Sequence, residues 1–183
     1  HYPLRRQRQM CIRDSIYRDT RFSSDKTPYK THIAAVFPRR GMPRHAGAGL
    51  YLAVSPEGVE VAGGVYMPPP ENLLAMRRHL LEHHQEYRRI AADRAARRLM
   101  GDIVGDQLSR VPKGFPADHP AADLVRHKQW YYDVLLEVGL ATTPRLLPEL
   151  VKRCRAMIPL VEFFNRPLLG PGRGRGKDIL ESL

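Results

Sequence analysis

The chain has 183 residues, 43% of them hydrophobic, and a formal net charge of +11. That length suits a single domain with a core of its own, and no apolar run approaches the roughly 20 residues that span a bilayer. Two isolated cysteines, Cys11 and Cys154, make neither a disulfide framework nor a zinc site, which points to a reducing, cytoplasmic setting.

Residues 1–15, HYPLRRQRQMCIRDS, are basic and lack the apolar core of a signal peptide. The run RQRQMCIRDS resembles translated sequencing adaptor of the kind found at the ends of metagenomic reading frames. This stretch is therefore set apart as non-native, and the domain is expected to run over 16–169 with its N-terminal part missing. Exposed apolar surface is then expected where the missing part would pack.

The next stretch, YRDTRFSSDKTPYKT at 17–31, gathers more functional groups than any other. Arg18, Arg21, Lys26 and Lys30 are suited to hold a phosphate or carboxylate, arginine through its planar fork and lysine as a mobile point charge. Phe22 and Tyr29 can wall such a site. Asp19 and Asp25 can orient the same cations in an internal ion-pair network. Surrounded by positive charge they should have lowered pKa values, which argues against a proton-shuttling pair. The bland alternative is a structural loop that pins the sheet.

As it stands, the segment reads Arg18-Asp19-x-Arg21-Phe22-x-x-Asp25-Lys26-x-x-Tyr29. It resembles the signature of the bacterial domain-of-unknown-function family 2461, with Ser15 standing where that signature opens with an arginine. The likeness continues through YKTHIAAVF, VAGGVYMPPPENL, PKGFPADHP and PLVEFFN, over roughly residues 16–169. It implies the fold of a conserved hypothetical protein and no particular activity.

Beyond the motif, 32–37 (HIAAVF) is a short apolar run that reads as a buried strand. The Gly-, Pro- and Arg-rich residues after it read as a mobile connection. Residues 49–55 and 59–67, separated by Pro56-Glu57-Gly58, read as a hairpin. Gly63 and Gly64 inside the second strand suggest a bulge or a backbone approached closely by another group. Pro68-Pro69-Pro70 and Glu71 launch a helix with its apolar stripe at Leu73, Leu74, Met76, Leu80 and Leu81. A second helix is predicted over 84–100, ended by Gly101 or Gly105, and a short extended segment over 106–112. A loop carries Lys113, and Asp118 or His119 is placed to cap a helix that reaches about residue 128. Residues 129–138 read as a strand, and 147–165 as a last helix that Pro159 should kink or shorten. The tail, 170–183, is Gly-rich, basic and predicted to be disordered. This order is not a regular βαβ alternation. It predicts an α+β domain, with an antiparallel or mixed sheet and helices packed on it.

Three tempting motifs weaken on inspection. His79 and His83 stand one helical turn apart in H-x-x-E-H, but nothing specifies a third ligand, so no metal is implied. GRGRGK near the C-terminus fails as a phosphate loop because Asp178 follows Lys177 where Ser or Thr is needed. Trp130, Tyr131 and Tyr132 could stack bases but read better as core.

The favoured reading is a binding module. The cations of 18–30 hold an anionic small molecule, and Gly63, Gly64, Lys113 and His119 stand as supporting residues. The alternatives are a metal-independent enzyme in which Asp19, Asp25 or His119 handles a proton, and a purely structural or interaction domain. Nucleic acid is the less favoured partner, since scattered arginines more often make a solvated face. No membrane partner and no cofactor is implied.

Overall fold

The computed structural model describes residues 12–13 and 31–169. Five strands form one antiparallel sheet in chain order: β1 (Ile12–Arg13), β2 (Ile33–Pro38), β3 (Gly49–Ser55), β4 (Gly58–Val65) and β5 (Trp130–Leu136). The helices are α1 (Pro70–Ala91), α2 (Arg94–Met100), α3 (Ala122–Val125) and α4 (Leu146–Asn165). The architecture is α+β, a meandering antiparallel sheet with helices packed on it. β1, from the stretch set apart above, pairs Ile12 with Val36 and Arg13 with Ala35.

Alternation along the strands sorts their side chains between two faces. Leu50, Leu52, Val59, Val61, Val65, Trp130, Tyr132, Val134 and Leu136 share the face that packs into the core. α4 lies against β4 and β3 on this side, with Met157 directly over Gly63. The core's aromatic centre joins sheet to helices: the Trp130 ring stacks on Phe164 at 4.8 Å, and Tyr87 of α1 sits 5.9 Å from both Phe163 and Phe164. Asn165, fully buried at the end of α4, accepts a hydrogen bond from the Ala48 amide and donates one to the Ala48 carbonyl, each at 2.9 Å.

The strands, the hairpin, the Gly101 stop and the last helix fall where the sequence predicts them, except that β4 ends at Val65 and Met67 takes a positive φ of 46°. Four expectations need correction. The helix predicted to begin near residue 84 is instead continuous with the first. α1 runs to Ala91 and bends at His83 (φ −122°, ψ 27°), and Asp93 then caps α2 by accepting from the Ala96 amide at 2.7 Å. The helix predicted to reach residue 128 is only the four-residue α3. The backbone beyond it is taken up by the segment before it, with Leu108 donating to Arg126 and Lys128 donating to Asp106, each at 2.8 Å. That ladder is also all that forms of the extended segment predicted over 106–112, through bridges Val104–Tyr131 and Gln107–His127. Finally, α4 runs through Pro159 without a break. Pro159 and Arg155 are both exposed, so the carbonyl that loses its helical partner at Arg155 faces water while Ile158, Leu160 and Val161 stay packed.

On the core face, Ile33 and Val54 pair across β2 and β3 yet stay 70% and 41% exposed. The tail from 170 onward, predicted to be disordered, lies outside the described residues. Among the described residues, no helix is long and apolar enough to cross a membrane.

His79 gives the fold a dependence on acid. Its side chain is buried, its ring lies 4.4 Å from His83 and 4.7 Å from Phe163, and its Nε2 has no hydrogen-bond partner. Burial, and then the neighbouring charges of His83 and Arg166, push its pKa from 6.5 down to about 4, with Glu86 pulling weakly the other way. A depressed value means that the unfolded chain binds the proton first. Stability should therefore be undiminished above pH 6.5 and fall as pH drops towards 4. Urea denaturation of the wild type and of His79→Phe across that window checks it, because the variant should lose less stability on acidification.

Candidate functional site

The other face of the sheet builds a cavity. Val36 and Pro38 on β2, Gly49 and Tyr51 on β3, Glu60, Ala62 and Gly64 on β4, and Tyr131 and Asp133 on β5 all point to this side by alternation. They line a space of about 390 Å³, closed further by Tyr66 and by Arg44, His45 and Gly47 of the β2–β3 loop. That is within the range of small-molecule sites. Its floor is made by the smallest side chains in the sheet, at Gly49, Ala62 and Gly64.

Gly64 is required by geometry. Its φ is +136°, and a Cβ there would meet the Trp130 carbonyl oxygen at 2.3 Å. At Gly63 a Cβ would meet Leu50 and Met157 on the core side at 2.8 Å each. Register runs straight through both glycines, opposite Leu50 and Gly49 on one side and Tyr132 and Tyr131 on the other, so the pair marks close approach and not a bulge.

The electrostatics are unusual at one end. Glu60 faces Leu135 across the ladder and Asp133 faces Ala62, so the two carboxylates are diagonal neighbours on one face. Neither makes a hydrogen bond or ion pair among the described residues. Loss of solvent raises the Glu60 pKa, the Asp133 charge adds to the rise, and His32 opposes it. Loss of solvent also raises Asp133, although that residue is exposed and the effect is correspondingly screened. Tyr66 and Tyr131 meet edge to face beside them, with centroids 5.6 Å apart. The Tyr131 hydroxyl is raised by burial and then by Asp133.

Of the residues singled out from sequence, Arg18, Asp19, Arg21, Phe22, Asp25, Lys26, Tyr29 and Lys30 lie outside the described residues. Gly63 and Gly64 line the cavity. Lys113 and His119 do not. Lys113 is exposed on its loop, and His119 accepts from the Ala121 amide at 3.1 Å with its ring 5.4 Å from His84. Trp130 and Tyr132 are core, whereas Tyr131 faces the cavity. The His79 and His83 rings lie 4.4 Å apart, tilted by 54°, and the described residues hold no group of three His, Cys, Asp or Glu that could bind a metal.

A family model described as conserved hypothetical protein (DUF2461) matches residues 3–163. The chain belongs to that family. No curated protein and no solved structure matches it. Sequence reasoning passed over the cavity's own polar groups in this family member: Glu60, Asp133, Tyr66, Arg44 and His45. The signal was present at two of them, since Glu60 and Asp133 are charges inside otherwise apolar strands, at alternation positions opposite to the core.

Two ionised carboxylates without partners destabilise the fold that holds them. Glu60→Gln and Asp133→Asn should each raise stability at neutral pH by roughly 0.5–1 kcal/mol after solvent screening, or about 1–4 °C in Tm. The gain should shrink in acid, where the carboxyls are protonated anyway. Thermal denaturation at neutral and acid pH reads it, and a lower Tm for both variants at neutral pH would contradict it.

Proposed function

We propose that this domain binds a small polar molecule in the sheet-face cavity, and that the cations of the 18–30 segment contribute to holding an anionic group on it. The observation that carries the reading is the cavity itself: about 390 Å³, floored by Gly49, Ala62 and Gly64 and edged by tyrosines and two carboxylates. A concave site with few polar groups on an apolar floor is how small ligands are usually held. The described chain resumes at Thr31, directly after the motif, and the charge of His32 is felt at Glu60. Arg18, Arg21, Lys26 and Lys30 precede this point in the sequence. Cysteine usage supports a reducing, cytoplasmic setting.

A second reading, a metal-independent enzyme, is favoured by one observation, the raised pKa values of Glu60 and Asp133. A carboxyl group whose pKa moves towards the working pH is better able to donate and accept protons.

A thermal-shift screen with phosphates, carboxylates, nucleotides and amines tests the binding reading. A ligand at about 100 Kd should stabilise the fold by roughly 2.7 kcal/mol. Ala62→Leu, which fills the floor, should abolish the shift while leaving the unliganded Tm nearly unchanged. Arg21→Ala and Lys26→Ala should weaken only ligands with an anionic group. A hit untouched by Ala62→Leu would place binding elsewhere.

A further inference from the structure

We infer that the end of the cavity between Glu60, Asp133, Tyr66 and Tyr131 takes the ammonium group of a primary amine, so that the ligand is an organic amine. The inference rests on the cavity being the ligand site, and it adds the chemical class.

Glu60 and Asp133 line the same cavity from adjacent strands, and neither is ion-paired with a described residue; the charge of His32 acts on Glu60, and Arg44 and His45 line the cavity from the β2–β3 loop. What sets the two apart is their place on one wall of a cavity, on adjacent strands. Diagonal neighbours across an antiparallel ladder have their Cβ atoms about 7 Å apart. At that spacing both carboxylates can converge on one nitrogen, each with an N–H···O contact of about 2.8 Å. A primary ammonium brings three donors, one for each carboxylate and one to spare. The paired rings of Tyr66 and Tyr131, 5.6 Å apart, stand beside this position. A cation near an aromatic face gains further attraction where water is excluded. The remaining floor at Ala62 and Gly64 is apolar and offers room for the amine's carbon skeleton.

A metal ion fits less well. Calcium takes about six or more oxygen ligands, and the described residues gather no group of three His, Cys, Asp or Glu. At this end of the cavity a carboxylate would meet two like charges, which gives the test its contrast.

The experiment titrates n-butylammonium, n-butyrate and n-butanol separately into the full chain and follows the backbone amide signals of Ala62 and Gly64 by NMR. Butylammonium should shift them saturably and the other two should not. The Kd should weaken about ten- to hundredfold in Glu60→Gln and in Asp133→Asn, the loss of one charge-assisted hydrogen bond. It should also weaken as pH falls through the carboxylate range. Both variants replace a carboxylate by its neutral isostere, so an intact spectrum shows that the fold survives. If butyrate or butanol shifts these amides as strongly as butylammonium, or if both variants bind butylammonium like the wild type, the amine assignment is overturned while the cavity remains a ligand site. If none of the three probes shifts them, the amine assignment falls, and the thermal-shift screen with Ala62→Leu decides separately whether the cavity holds a ligand.

Discussion

One buried side-chain amide decides where the two layers of this domain meet. Asn165 closes α4 and bonds both backbone groups of Ala48, residues that lie 117 positions apart. Ala48 is where the chain turns from the β2–β3 loop into β3, and it is 1% exposed. Without Asn165 its amide and carbonyl would be buried with no partner, the costly case for a polar group. The contact is too close to admit a larger neighbour: a Cβ on Gly47 would stand 2.2 Å from the Asn165 oxygen. Asn72 of α1 donates to the Ala46 carbonyl two residues earlier. The loop that carries Arg44, His45 and Gly47 into the cavity wall is thus held from the core side by two helices.

The same logic makes β4 a shared wall. Val59, Val61 and Val65 bury themselves against α4 and the aromatic centre, while Glu60, Ala62 and Gly64 face the cavity. Neither set can change without consequence for the other, because Gly63 has Met157 against it on one side and Gly64 has the Trp130 carbonyl against it on the other. A rigid, close-packed sheet is able to hold two carboxylates in an unfavourable position. Such pairs concentrate where a protein does chemistry or binds charge.

Most of the layering was legible in the sequence. HIAAVF and GLYLAVS declare themselves by short apolar or alternating runs bounded by Pro and Gly, and the last helix by its buried periodicity through Cys154, Met157, Val161 and Phe164. What local pattern could not foresee was competition from distant backbone. The helix after His119 stops at Val125 because the carbonyl of Arg126 and the amide of Lys128 are claimed by residues 106–108. Pro159 failed to break α4 because its flanking residues are held in the core. Gly63 and Gly64 stood out on their own, but the site around them needs the register of β4 on β5 before Glu60 and Asp133 become neighbours. The family signature drew attention to Arg18–Lys30, which lies outside the described residues, whereas the cavity's carboxylates fall in strands that read as ordinary sheet.

Thermal and urea unfolding of Asn165→Ala is the most direct measurement of whether that amide joins the layers. Two buried backbone groups left unpaired should cost about 3 kcal/mol, lowering Tm by roughly 6–12 °C. A loss below about 1 kcal/mol, the net worth of one ordinary hydrogen bond, would mean that the loop and α4 are held together by packing alone and would contradict the assignment.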